Sequence, residues 1–204
     1  MTWRPQLRNL PTTTEKRMTA GAAGKSSRRT TDSVLQTRRR IEAARGYLAL
    51  GMPDHALAEL AAIRDRYRHR FELFQLRGEA FRGLKRWAEA ISAYTRALAE
   101  RPDALPVLMA AAECYRRLDK IDRAVTAMEE ANRISPNEPA VLFALSRYYL
   151  IVGHLPRAFQ WLGQAIRLCP EIAAFAADDA DFASIKAHPQ FQQWLESAAA
   201  RQSF

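Results

Sequence analysis

The stretch WAEAISAYTRALAERPD, residues 87–103, decides how this chain is read. Ala90 and Ala97 stand seven residues apart, hence on one face of a helix, with Tyr94 between them and Pro102 closing the segment. Counting forward by 34 residues meets Ala124, Met128, Ala131 and Pro136, and a further 34 meets Ala158, Leu162, Ala165 and Pro170. Counting back by 34 meets Ala56, Leu60, Ile63 and Arg68. The stretch is one copy of a repeat whose first copy lacks the closing proline.

Four units of 34 residues abut without a gap: 37–70, 71–104, 105–138 and 139–172. Position 8 of each is small (Ala44, Gly78, Ala112, Ser146), position 11 is aromatic (Tyr47, Phe81, Tyr115, Tyr149), and position 20 is always alanine (Ala56, Ala90, Ala124, Ala158). Two short amphipathic helices per unit account for this. Where they cross closely, a side chain larger than Ala, Ser or Gly would push the backbones apart. The aromatic fills the wedge beside the crossing, and the proline at position 32 ends the second helix because it has no amide donor and restricts the residue before it.

Composition agrees with an all-α chain. Of 204 residues 48% are hydrophobic, enough for a core, and only eight are glycine, against abundant Ala, Leu, Glu and Arg. The formal charge of +9 is densest at the start, where residues 1–34 hold seven Lys or Arg against two acids. Residues 1–32 carry Pro5, Pro11, TTT and KSSRRTT without periodicity and predict a flexible basic leader. Order is expected from Ser33, where Ser33 and Gln36 have capping-box spacing, so that the array covers 33–172. With no apolar signal segment and no stretch long enough to cross a bilayer, a soluble cytoplasmic protein is expected. Cys114 and Cys169 lie in different units without metal-ligand spacing and predict packed small hydrophobes.

Phe74, Gly78, Phe81, Ala90, Tyr94, Ala97 and Pro102, at positions 4, 8, 11, 20, 24, 27 and 32 of the second unit, resemble the pattern of the tetratricopeptide repeat family. The resemblance implies a right-handed α-solenoid of four helix-turn-helix units. Departures fall at Arg40, Ile63 and Arg68 in unit one, at positions 4, 27 and 32, and at Arg77 in unit two, where leucine is usual at position 7. Residues 173–204 resemble the closing segment found after the last repeat in bacterial members. Asp181 and His188 are its expected N-caps, with Phe182, Ile185, Phe191, Trp194 and Leu195 covering the open face of unit four.

No Walker loop, G-x-S-x-G, H-E-x-x-H or dinucleotide turn occurs, so no enzyme is predicted and no catalytic residue, cofactor or metal is assigned. The four histidines are scattered, and the DDAD run at 178–181 suits helix capping rather than a cation. The concave surface remains. Positions 2, 5, 9 and 12 of each first helix share a face, which in the family lines the inner groove. They are Arg38, Ile41, Arg45 and Leu48; Glu72, Gln75, Glu79 and Arg82; Pro106, Met109, Glu113 and Arg116, with Arg117 adjacent; and Ala140, Phe143, Arg147 and Leu150, with Ile151 adjacent. The two-carboxylate clamp of members that grip chaperone C-termini is absent: its five positions hold Ile41, Arg45, Leu76, Pro106 and Ala110.

The expected partner-binding groove is therefore Arg45, Glu72, Gln75, Glu79, Arg82, Met109, Glu113, Arg116, Arg117, Phe143, Arg147 and Leu150. Arg82, Arg116, Arg117 and Arg147 form one wall suited to an acidic or C-terminal peptide, with Glu79 and Glu113 as competitors for it at i, i+3 spacing. The leading expectation is a non-enzymatic adaptor for a peptide or protein partner. A chaperone of secreted proteins, resembling small repeat chaperones of bacterial export, and a binder of nucleic acid or anionic surfaces through the leader are the alternatives. Deleting residues 1–32 is expected to leave helix content and Tm unchanged, since no periodic apolar face is removed. Any binding to nucleic acid should fall sharply on deletion and depend steeply on salt. Undiminished binding by the truncated chain sinks the leader's role.

Overall fold

The computed structural model describes residues 34–63 and 69–202, the side chains of 198–202 excepted. Residues 1–32, the capping box expected at Ser33 and the departure at Arg68 lie outside the described residues. Eight helices run in consecutive pairs: α1 (34–49) with α2 (Pro53–Ala61), α3 (Arg70–Gly83) with α4 (Trp87–Glu100), α5 (Leu105–Arg117) with α6 (Ile121–Ile134), and α7 (Pro139–Ile151) with α8 (Leu155–Leu168). Then follow α9 (Ile172–Asp178), a 3-10 turn (Ala180–Ile185) and α10 (Pro189–Gln202). Among the described residues there is no strand, and no helix is long and apolar enough to cross a membrane. Each helical hairpin packs on the next, giving an α-solenoid.

The column of small residues sits at the hairpin crossings. Ala44, Ala56, Ala90, Ala112 and Ala124 have no exposed surface, and Ser146 and Ala158 are equally enclosed. Unit two shows why glycine stands at its position 8. A Cβ on Gly78 would lie 2.3 Å from the ring of Tyr94, which is itself fully buried. The other units, with Leu60, Met128 and Leu162 in place of Tyr94, carry alanine or serine there. Size is traded between the two columns, so the crossing stays close.

The turn inside each hairpin is the same. Gly51, Lys85, Asp119 and Gly153, one per unit at 34-residue spacing, all have left-handed backbone, with φ of 70°, 58°, 59° and 77°. The aromatic before each turn accepts, at its carbonyl, the N–H five residues on: Met52 to Tyr47, Arg86 to Phe81, Lys120 to Tyr115, His154 to Tyr149. This is a Schellman closure of the first helix, and glycine is the residue that enters it without steric cost. Each second helix of units two to four ends two residues before its proline. Arg101, Ser135 and Cys169, immediately before Pro102, Pro136 and Pro170, are turned toward extended geometry.

Two of the departures, Arg40 in unit one and Arg77 in unit two, are met by polar contacts. Arg40 Nη1 reaches Glu59 of α2 at 2.8 Å, and Arg77 lies against the Leu60 carbonyl where α2 ends. That helix has nine residues, whereas α4, α6 and α8 have fourteen each. At the other end, Tyr149 of α7 donates to Glu129 of α6 and accepts from Arg157 Nη1 of α8 at 2.7 Å, a polar clasp across units three and four.

The C-terminal segment buries Ile172, Phe182, Ile185 and Phe191 against Leu142, Leu162 and Ile166 of α7 and α8. Trp194 packs over Gly163, where a Cβ would come within 2.8 Å of its ring. One cap is corrected. Asp179, not Asp181, opens the 3-10 turn, because its Oδ1 accepts the Asp181 N–H at 2.9 Å. His188 does serve the last helix, its Nδ1 accepting from the Gln190 N–H at 3.3 Å.

Gly78→Ala should destabilise the chain by about 1–3 kcal/mol, since no space exists beside Tyr94. Lys85→Gly should instead stabilise it by about 0.5–1 kcal/mol by relieving left-handed strain. Urea unfolding midpoints check both. A neutral Gly78→Ala would mean the crossing is loose.

Candidate functional site

Helices α1, α3 and α5 form the inner row, and between them lies an open cavity of about 830 Å³. Six expected residues line it: Arg45, Gln75, Glu79, Arg82, Glu113 and Arg117. Leu48, Leu76, Pro53 and Trp87 supply its apolar surface. Glu72 stands beside it, bridging Arg45 at 3.2 Å and His69 at 3.1 Å. Trp87 was not expected, because the helical-face count considered first helices only. The short turn before it brings the start of α4 to the groove, and the Arg117 guanidinium lies 5.8 Å from its ring. A large aromatic directly after an intra-unit turn was the available signal.

The charges are not spread as the sequence suggests. Glu113 accepts from both Nε and Nη2 of Arg116, at 2.9 and 2.7 Å, and from Arg117 Nε at 2.9 Å, while Arg147 Nη2 stands 3.6 Å away. One carboxylate serves three guanidiniums. Burial pushes the Glu113 carboxyl up, but the hydrogen bond and charge of Arg116, with Arg117 and Arg147 behind them, outweigh it and hold the group below the ordinary range. Two further carboxylates come from the C-terminal segment: Asp179 lies 3.5 Å from Arg147, and Asp181 lies 3.6 Å from Arg116 and 3.7 Å from Arg147.

Arg82 differs. Glu79, one turn earlier, accepts from Gln75 Nε2 at 2.9 Å instead, and among the described residues Arg82 has no carboxylate partner. Its charge acts on Tyr94 and Cys114 below it. Burial pushes the Cys114 thiol up to about 11 against that charge, so the sulfur is packed rather than reactive.

At the ends the expected groove is corrected. Ile41 is core, enclosed with Ala56 and Leu60. Phe143 stacks on Phe182 of the C-terminal segment, centroids 5.2 Å apart and rings within 10° of parallel. Met109 and Leu150 are partly buried against the core shared by units three and four, Leu150 also against the core that joins unit four to the C-terminal segment, and Arg147 lies under Asp179 and Asp181. The C-terminal segment crosses the inner face of unit four, which helical-face counting on the repeats alone does not register. Arg38, Pro106, Ala140 and Ile151 are exposed but line no part of the cavity. Among the described residues no group of three or more His, Cys, Asp or Glu is gathered to hold a metal.

Stacked helical hairpins with an open inner groove define a repeat solenoid of the helix-turn-helix class. The chain belongs to the tetratricopeptide repeat family: two of its profiles match, over residues 41–104 and 82–148. No curated protein matches the chain in sequence. Among solved structures it is similar to a tetratricopeptide repeat protein from Parabacteroides merdae ATCC 43184, at 15% identity over 83% of this chain and 68% of that one, with a TM-score of 0.70. It is similar also to MamA, residues 41 to the end, from Desulfovibrio magneticus RS-1, at 15% identity over 82% and 92% with a TM-score of 0.66. A thermophilic repeat protein from Thermus thermophilus matches at 19% over 82% and 92%, with a TM-score of 0.60. At such identities the likeness is one of fold. Tetratricopeptide repeats generally mediate protein–protein interactions.

Glu113→Gln should lower stability by about 1–3 kcal/mol at neutral pH, because it leaves three arginines without a shared negative charge and turns an NH2 group toward donors where a second oxygen had accepted. The group's pKa is depressed on folding. Its contribution is therefore complete above the unfolded value of about 4.3 and is lost as pH falls through the lower folded value. The variant's stability should decline less steeply in acid than that of the parent. Parallel acid profiles for the two would show that Glu113 carries no such role.

Proposed function

We propose that the protein is a non-enzymatic adaptor that binds an acidic segment of a partner protein in the groove along α1, α3 and α5. The observation that carries this reading is Arg82: a guanidinium lining the groove without a carboxylate, on the same surface as Trp87 and Arg117. A planar, permanently charged group of this kind pairs with carboxylates through two parallel hydrogen bonds, and a neighbouring tryptophan adds apolar area at low conformational cost. Extended inner surfaces are what solenoids offer to partners. The export-chaperone alternative asks for an open apolar floor, and Met109, Phe143 and Leu150 are each partly buried against the cores of units three and four.

A photo-crosslinking residue placed at Gln75 in the groove, with Thr95 on the exposed face of α4 as control, should capture a partner selectively from native-host extract. Peptide mapping should place the crosslink in an acidic stretch. Arg82→Glu with Arg117→Glu should reduce capture at least about tenfold while leaving Tm within a few degrees, a loss of about 1.4 kcal/mol or more of binding. Equal capture from both positions, or capture indifferent to the reversal, sinks the adaptor reading.

A further inference from the structure

The C-terminal segment does two different things with its two kinds of residue. Phe182, Ile185 and Phe191 are driven into the core of unit four, as a closing segment requires. Asp179 and Asp181 instead face inward, over Arg116 and Arg147, at the far end of the arginine wall from Arg82. The chain has laid a short acidic run of its own across the surface on which an acidic partner would lie.

The fit of that run is loose. Hydrogen-bonded pairs on the same wall close to 2.7–2.9 Å, as Glu113 does with Arg116 and Arg117. The three Asp contacts stand at 3.5–3.7 Å, and Arg147 Nε is buried without a hydrogen-bond acceptor. A donor in that position costs free energy until it is paired. Asp179 also spends Oδ1 on the Asp181 N–H, which anchors its side chain to the turn. This end of the wall thus holds three arginines, Arg116, Arg117 and Arg147, with one tightly bound glutamate and two aspartates at ionic but not hydrogen-bonding distance. Carboxylates free to approach closely would satisfy it better than the resident pair.

We propose that Asp179 and Asp181 are an internal, exchangeable ligand of a carboxylate site formed by Arg116 and Arg147, and that an acidic segment of the partner displaces them there while the aromatic anchors stay seated. This rests on the reading of the groove as an acidic-segment site. It adds that the unit-four end of the groove is masked in the free chain and opens only to a partner that brings its own carboxylates. The aspartates are tethered and act at a high effective concentration, so they lower the apparent affinity for any rival in proportion to their occupancy.

The test uses the full chain and a capped peptide of sequence ADDAD, that of residues 177–181, followed by NMR at the arginine side-chain Nε–H signals. Asp179→Asn with Asp181→Asn removes the resident charges, and asparagine at 179 still accepts the turn's hydrogen bond, so the fold is retained. Asp181→Asn alone is the fallback should the pair lower Tm. In the variant the Arg147 signal should titrate at a peptide concentration at least about tenfold lower than in the parent, as removal of a tethered competitor requires. The shift should vanish with a peptide carrying asparagine at all three acidic positions. Equal titration of parent and variant, no titration of either, or an equal response to the neutral peptide overturns the proposal. So does a shift produced by a single-stranded oligonucleotide but not by the acidic peptide, since the site would then prefer phosphate. Exchange that responds as expected while partner capture ignores Arg82→Glu keeps this site and removes the adaptor reading. Unchanged exchange with capture sensitive to Arg82→Glu does the reverse.

Discussion

The close crossing of the two helices in each unit is the constraint on which the molecule depends. Fully enclosed small residues at positions 8 and 20 bring the backbones together, and every later feature inherits that spacing. The crossings let successive hairpins nest, nesting lines up α1, α3 and α5 in one inner row, and the row brings Arg45, Arg82 and Glu113 to a common surface though they come from different units. Gly78 and Tyr94 show how tightly this is set: where the second helix presents a large ring, the first gives up its side chain.

Much of the fold was legible because its determinants are local and recur. A small residue, an aromatic, an alanine and a proline at fixed offsets are each a statement about one turn of chain. Four copies make the statement readable even where unit one departs from it. The left-handed turn residue does not stand out as a column, because only Gly51 and Gly153 advertise it; Lys85 and Asp119 adopt the same backbone under the force of the surrounding hairpin. Arg40 and Arg77 look like flaws in the pattern and are instead contacts, to Glu59 and to the end of α2.

The site was legible only in part, and the reason is distance along the chain. Helical-face arithmetic named six of the residues that line the cavity, since positions on one helix are fixed by its period, and passed over others such as Leu76. It could not find what comes from elsewhere: Trp87 enters by way of a turn, and Asp179, Asp181 and Phe182 arrive from a segment whose role read as closure alone. The expected competition of Glu79 for Arg82 also failed, because Gln75 on the preceding turn takes the carboxylate first. Spacing states which groups are within reach of one another; it does not state which of several partners wins.

The clasp that Tyr149 makes with Glu129 and Arg157 has a mechanical meaning. In a solenoid, rigidity is a sum of terms between neighbours, so an extra polar tie at one junction is felt there and little beyond it. The rear of the array is tied three ways, through that clasp, through full-length second helices and through the C-terminal segment packed on α7 and α8. The front has a second helix of nine residues, and its tyrosine, Tyr47, meets the ring of His55 with centroids 5.3 Å apart. The polar ties are therefore placed differently along the axis: the rear is held from behind by the clasp and the C-terminal segment, whereas at the front Arg40 on Glu59, Arg45 on Glu72 and Arg77 on the Leu60 carbonyl hold α1, α2 and α3 together beside the open groove.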